Sequence, residues 1–156
     1  MNNSDAKISE IFKSARVIAC VGASKNEIRP SNYVSQYLLS RGYRVIPVNP
    51  GLAGEELWGE TVYADLASIP PETAVDFVDI FRRSEAVPAI VDQAIQHLPK
   101  VQTIWMQLGI RHAEAAKCAK EAGLDVVQDR CPKIEFPRLF GQQGRAEIAL
   151  DRSTPV

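Results

Sequence analysis

Residues 22–31 read Gly-Ala-Ser-Lys-Asn-Glu-Ile-Arg-Pro-Ser and directly follow an apolar run. A hydroxyl at Ser24 and charges at Lys25 and Arg29 suit an anion. The backbone amides around Ser31 add to this if a helix starts there, because a helix amino end favours negative charge. Only Gly22 fits a GxGxxG fingerprint, and the next apolar run ends in Val48-Asn49-Pro50 without a carboxylate for a ribose. A standard NAD site is therefore disfavoured. GxxxxGK[ST] is absent, so ATP is not held in the P-loop manner. What remains is a phosphate-friendly turn, or a solvated loop with incidental charges.

Other groups capable of chemistry are few. His112 follows Gly109-Ile110-Arg111, where a strand passes into a helix, and it is a candidate acid or base or a first-turn surface residue. His97 sits near a helix end and reads as surface or cap. Cys131, in Asp-Arg-Cys-Pro-Lys, follows another strand end. A helix start or basic neighbours would favour its thiolate, and a partly buried structural cysteine is the plainer reading. Cys20 falls in a core strand, and Cys118 on a helix between alanines. Asp65, Asp76 and Asp79 form no metal pattern; Asp79 is placed to orient Arg82 or Arg83. Lys25, Arg29, Arg82, Arg83, Arg130 and Lys133 all fall near strand ends. Phe81 and Trp105 offer flat surfaces to a base, or belong to the core.

The elements that must position these groups alternate. Residues 16–22, 43–50, 74–81, 101–109 and 124–129 read as strands, with a shorter one over 61–66. Helices are expected over 29–42 with Ser31 as a cap, over 82–98 with Ser84 as a cap, and over 111–123 ended by Gly123. Pro47 removes a ladder donor and so asks for an edge strand. A proline-punctuated tail begins at residue 130. This order predicts an α/β fold: a Rossmann-like open parallel sheet with helices on both faces, three layers α/β/α. Ligands in such sheets sit beyond the carboxyl ends of the strands. That selects residues 22–30, 49–51, 80–83, 107–110 and 129–133.

The chain has 156 residues, enough for one domain, here 1–140 with a tail over 141–156. With 18 basic and 19 acidic residues the formal charge is −1, which argues against nucleic acid as a partner. No CxxC pattern is present, a reducing compartment fits three widely spaced cysteines, and no apolar stretch is long enough for a membrane span. The first ten residues lack the apolar core of a signal peptide, so the expected location is the cytoplasm.

The ordered set VGAS, VIPVNP, VDFVDIFRRSE, WMQLGI and AGLDVVQDRCPKIEFPRL resembles the small single-domain CoA-binding proteins. These are similar to the amino-terminal CoA-binding domain of the succinyl-CoA ligase alpha subunit. The likeness spans about residues 10–140. It implies that CoA or an acyl-CoA is the ligand. By position it implies that Gly22, Ala23, Ser24, Lys25, Asn26 and Arg29 hold phosphates. Asn49 and Pro50, then Ile80, Phe81 and Arg82, correspond to pocket walls, and Met106, Gln107, Leu108 and Gly109 to a strand end touching the nucleotide. The ligase loop has more glycines, and a lysine-containing turn stands where this chain has Asn49-Pro50. The ligase's second domain, with its phosphorylated histidine, has no counterpart in these residues. The resemblance thus implies a stand-alone binding domain without a complete catalytic site. Two alternatives stay open: an enzyme using His112 or Cys131 on a CoA-linked or nucleotide-linked substrate, and an interaction module without ligand, with Leu57 and Trp58 exposed. A homodimer or a separate protein partner is compatible with each.

Overall fold

The computed structural model describes residues 4–150. Seven strands occur among them: β1 Val17–Val21, β2 Arg44–Val48, β3 Glu56–Leu57, β4 Glu60–Thr61, β5 Phe77–Ile80, β6 Thr103–Met106 and β7 Asp125–Val127. The six α-helices are α1 Asp5–Ser14, α2 Pro30–Ser40, α3 Val87–His97, α4 Ala113–Glu121, α5 Pro132–Phe140 and α6 Arg145–Leu150. Five strands form one parallel sheet in the order β2-β1-β5-β6-β7. The chain steps outward from β1 to β2, then crosses back over β1 to begin β5. The switch in strand order therefore lies between β1 and β5, where a parallel sheet opens a crevice. Pro47 sits on β2, an edge strand, so its missing donor costs no ladder bond on the outer side.

Strand alternation divides the core into two layers. Ala19, Val21, Ile46, Val78, Ile80, Ile104 and Met106 face α3 and α4. Ile18, Cys20, Val45, Phe77, Trp105 and Val127 face α1, α2, α5 and α6. Both faces are covered, as the near-continuous apolar strands require. The second layer is aromatic: Phe12 lies 5.3 Å from Trp105 and 5.2 Å from Phe136, ring centre to ring centre.

Several local expectations change. α2 starts at Pro30, its capping position is Arg29, and Ser31 is buried inside the first turn. Proline sets the helical φ and lacks an N–H that would have gone unpaired there, so the helix opens two residues earlier than a cap at Ser31 would place it. Ser84 opens a short 3-10 turn, and its Oγ accepts the Arg111 N–H at 3.1 Å instead of capping α3. Residues 61–66 form no continuous strand: Glu60 and Thr61 pair in a small hairpin with β3, and Tyr63 makes a single parallel bridge to Val48 at the outer edge of β2. Leu57 and Trp58 are half-buried against the aromatic layer rather than exposed. Residues 132–140 form α5, on which Phe136 is fully buried. α6 follows, with Ile148 buried and Arg145 N–H donating to the Arg41 carbonyl at 2.6 Å. Glu135, at 7% exposure, binds Arg130 and Arg138, and Arg138 also binds Asp5, so a charged chain ties α5 to α1. Within the described residues no helix is long and apolar enough to cross a membrane.

Candidate functional site

The first loop is held by its own backbone and two asparagines. Gly22 has φ +96°, a left-handed conformation, and its N–H and that of Ala23 both donate to the Val48 carbonyl, at 2.9 and 3.1 Å. Asn49 Nδ2 donates to the Ala23 carbonyl at 2.8 Å while Oδ1 accepts from Gly51 N–H at 2.8 Å. Asn49 thus braces the loop from the position where a dinucleotide site carries its acid. Asn32 Nδ2 donates to the Ser24 carbonyl at 2.8 Å, and Ser24 Oγ accepts from Asn26 N–H at 3.0 Å. The turn so shaped meets the amino end of α2. Between them is a cleft of about 360 Å³ lined by Gly22, Ala23, Ser24, Arg29, Ser31 and Phe81, among others. Two of its walls are polar backbone and a guanidinium, which favours an anion.

Gly22 cannot be exchanged freely. A Cβ there would lie 3.2 Å from the Phe81 carbonyl oxygen and 3.3 Å from Arg82 Cδ. With the positive φ added, Gly22→Ala is expected to lower stability by about 1–3 kcal/mol. A thermal melt checks this; an unchanged melting temperature would show that the loop can relax.

Beside the cleft, and sharing Pro30 and Phe81 with it, lies a larger cavity of about 460 Å³. Its further walls come from three elements: Tyr33 and Val34 of α2, Gln107, Leu108 and Ile110 beyond β6, and Cys131, Lys133 and Ile134 at the start of α5. Leu108 and Ile134 are 55% and 51% exposed, an apolar rim on an otherwise polar surface. Gln107 is 5% exposed and its Oε1 has no hydrogen-bond partner. An unmet buried acceptor is costly.

The expected site residues distribute unevenly. Gly22, Ala23, Ser24, Arg29, Asn49 and Phe81 line the cleft, and Phe81, Gln107 and Leu108 line the cavity. Lys25 is ion-paired with Glu55, which ties it to the loop before β3. Asn26 Oδ1 accepts from Ile28 N–H at 3.1 Å and shapes the turn from within. Pro50 and Arg82 line a smaller cavity of about 150 Å³ together with Val21, Leu66 and Ile90. Ile80 and Met106 are fully buried in the layer facing α3 and α4, leaving only their carbonyls at the edge, bonded to Gln107 N–H and Arg130 N–H. Gly109, at φ +80°, donates to Asp129 Oδ1 at 2.7 Å.

Trp105 offers no platform to a ligand: it is fully buried, stacks on Phe77, and its Nε1 donates to the Arg130 carbonyl at 2.7 Å. Asp79 does not orient Arg82 or Arg83. Its carboxyl is fully buried between Cys20 and Trp105 in register, has no partner for either oxygen, and is pushed well above the usual carboxylate range by burial. His112 caps α4, its Nδ1 accepting from Ala115 N–H at 3.1 Å, and faces a separate cavity with Pro88, Asp92 and Cys118. Tyr33 and Ile134 were not singled out in the sequence. Tyr33 was legible as a large side chain in the first turn of an expected helix, whereas Ile134 fell in the segment read as a tail.

Fold and site together define a Rossmann-like α/β domain with a ligand-sized crevice at the carboxyl edge of the sheet. The chain belongs to the CoA binding domain family, whose model matches residues 16–137. It is 35% identical over 133 residues to the uncharacterized protein YneT of Bacillus subtilis, covering 85% of this chain and 94% of that one. A solved structure from Thermus thermophilus is 40% identical with a TM-score of 0.81, covering 88% of this chain and all of that one. The fold also recurs in a dinucleotide-forming acetyl-coenzyme A synthetase from Ca. Korarchaeum cryptofilum, solved with phosphate and ADP. There the TM-score is 0.62 at 24% identity, over 78% of this chain and 27% of the synthetase. At that identity the likeness speaks for the fold alone.

Proposed function

We propose that this chain binds coenzyme A or an acyl-CoA as a stand-alone domain, with phosphate groups in the cleft at the start of α2. The observation that carries this reading is the joining of two unlike spaces across Pro30 and Phe81. One has a guanidinium and helix amides for an anion; the other is mostly apolar and suits an uncharged arm. CoA has that division, a phosphorylated nucleotide at one end and a slim pantetheine arm at the other. Membership of the CoA binding domain family supports the same ligand. Three free cysteines suit a reducing compartment such as the cytoplasm.

Isothermal titration with CoA, set against NAD and ATP, tests the reading. Saturable heat with CoA alone is expected; binding of NAD or ATP instead, or of nothing, would overturn it. Arg29→Ala is expected to weaken CoA by roughly tenfold, the usual loss of a charge-assisted contact of about 1.5 kcal/mol. Lys25→Ala should cost less, because the Lys25 ammonium is already engaged by Glu55.

A further inference from the structure

We propose that Cys131 takes the thiol end of CoA into a mixed disulfide by thiol–disulfide exchange, with the pantetheine arm held in the cavity beside the cleft. The proposal rests on the CoA-binding reading and adds a covalent step to it. Three observations meet at this site. Cys131 lines the cavity and heads α5 without its side chain capping that helix, so no first-turn amide engages its sulfur. Gln107, 5% exposed, lines the same cavity with Oε1 unpartnered. The pantetheine arm carries two secondary amides, groups that a glutamine amide at the cavity wall can pair with. Apart from Lys133 the remaining walls, Tyr33, Leu108 and Ile134 among them, are mostly apolar and match an arm that bears no charge.

The other two cysteines do not compete for this role. Cys20 is fully buried in β1, and burial pushes its thiol far up, which keeps it unreactive. Cys118 is exposed on α4 and faces the separate cavity near His112.

The co-reactant is a disulfide of CoA. The Cys131 thiolate attacks one sulfur of that disulfide along the S–S axis. The CoA–CoA S–S bond breaks as the new bond to Cys131 Sγ forms. The second CoA leaves as a thiolate and takes up the proton that Cys131 gave to solvent. Cys131 is oxidised to the mixed disulfide while one CoA is reduced to its thiol, so no further oxidant is consumed.

The test uses the full chain carrying Cys118→Ser, which removes the exposed thiol. The protein is incubated with CoA disulfide, and the product is read by intact mass and peptide mapping. One CoA per chain on the Cys131 peptide, removed by dithiothreitol, is the expected result. Glutathione disulfide should react more slowly by roughly tenfold or more, since it gains no positioning from the cleft and cavity. Pantethine, which has the arm without the nucleotide, should fall between them. Adding Cys131→Ser should abolish the adduct. Should that double variant not fold, mapping of the Cys118→Ser protein alone still locates the modified residue. An adduct on Cys20, equal rates for CoA and glutathione disulfides, or no adduct would each overturn the proposal. If the same Cys118→Ser protein binds reduced CoA in a titration yet forms no adduct, the covalent step fails and the binding reading stands. If it neither binds nor reacts, both fail.

Discussion

Replacing Phe136 with alanine is expected to cost about 3–5 kcal/mol, the range for removing a fully buried aromatic ring. For a domain of this size that lowers the melting temperature by roughly 6–20 °C. Phe136 is fully buried and its ring lies 5.2 Å from those of Phe12 and Phe140, and 6.1–6.2 Å from Tyr43 and Tyr37. The loss should reach the site as well. α5 is nine residues long and carries Pro137, which has no N–H to complete the ladder. A short helix with an internal proline has little stability of its own and depends on docking. Phe136 is the main apolar anchor of that docking, and the same helix brings Cys131, Lys133 and Ile134 to the cavity. Phe136→Ala should therefore weaken CoA as well as lower the melting temperature, whereas Phe136→Leu keeps most of the volume and loses less of both. Calorimetric melting and CoA titration of the two variants measure this. A stable alanine variant with unchanged affinity would mean that α5 is held mainly by the Glu135–Arg138–Asp5 chain.

Replacing Asp79 with asparagine is expected to stabilise the protein, and increasingly so as pH rises. Neither Asp79 oxygen has a partner, and burial holds the carboxyl protonated well above its ordinary range. The sign follows from proton counts. Above about pH 3.9 an exposed aspartate ionises, so the unfolded chain gives up a proton that the folded chain keeps. The unfolded state then binds fewer protons, and the stability of the wild type falls with pH by up to about 1.4 kcal/mol per unit. The fall continues until the folded carboxyl itself ionises. Asp76 is also raised, chiefly by burial, and shifts the same way. Asp5 and Asp129 are lowered, Asp5 mainly by its bond with Arg138 and Asp129 mainly by the Gly109 N–H. Their stabilisation is present at neutral pH and fades as pH falls through the acid range. Because those groups are common to both proteins, the difference between wild type and Asp79→Asn isolates Asp79. The difference should be near zero at pH 4, where both side chains are essentially neutral and equally without partners, and should grow in favour of asparagine by up to about 1.4 kcal/mol per pH unit above that until the folded carboxyl ionises. Urea unfolding at several pH values gives it directly. A difference that does not change with pH would mean that Asp79 has a partner in solution.

The order of elements was legible in the sequence because it is written locally. Apolar runs of strand length, Pro47 asking for an edge and Gly123 ending a helix are each set by a residue and its immediate neighbours. Once the alternation was read, the general rule for parallel sheets named the loops at the carboxyl edge. Those loops do supply the cleft, through Gly22, Ala23, Ser24 and Asn49. The larger cavity was not legible as a space, because its walls come from residues about a hundred positions apart, Tyr33 and Ile134, brought together by α5 docking on α2. Prolines at 132 and 137 hid that helix in a local reading, since only the aromatic layer beneath it makes it stable. The environment of Asp79 was equally out of reach. A carboxylate near a strand end usually meets a cation or water, and only the packed sheet shows that this one faces Cys20 and Trp105 with neither. Sequence alone determined which segments could meet a ligand, because hydrophobic period and turn chemistry are properties of neighbours. Tertiary structure decided which side chains actually line the space, because burial and contact depend on residues distant in the chain.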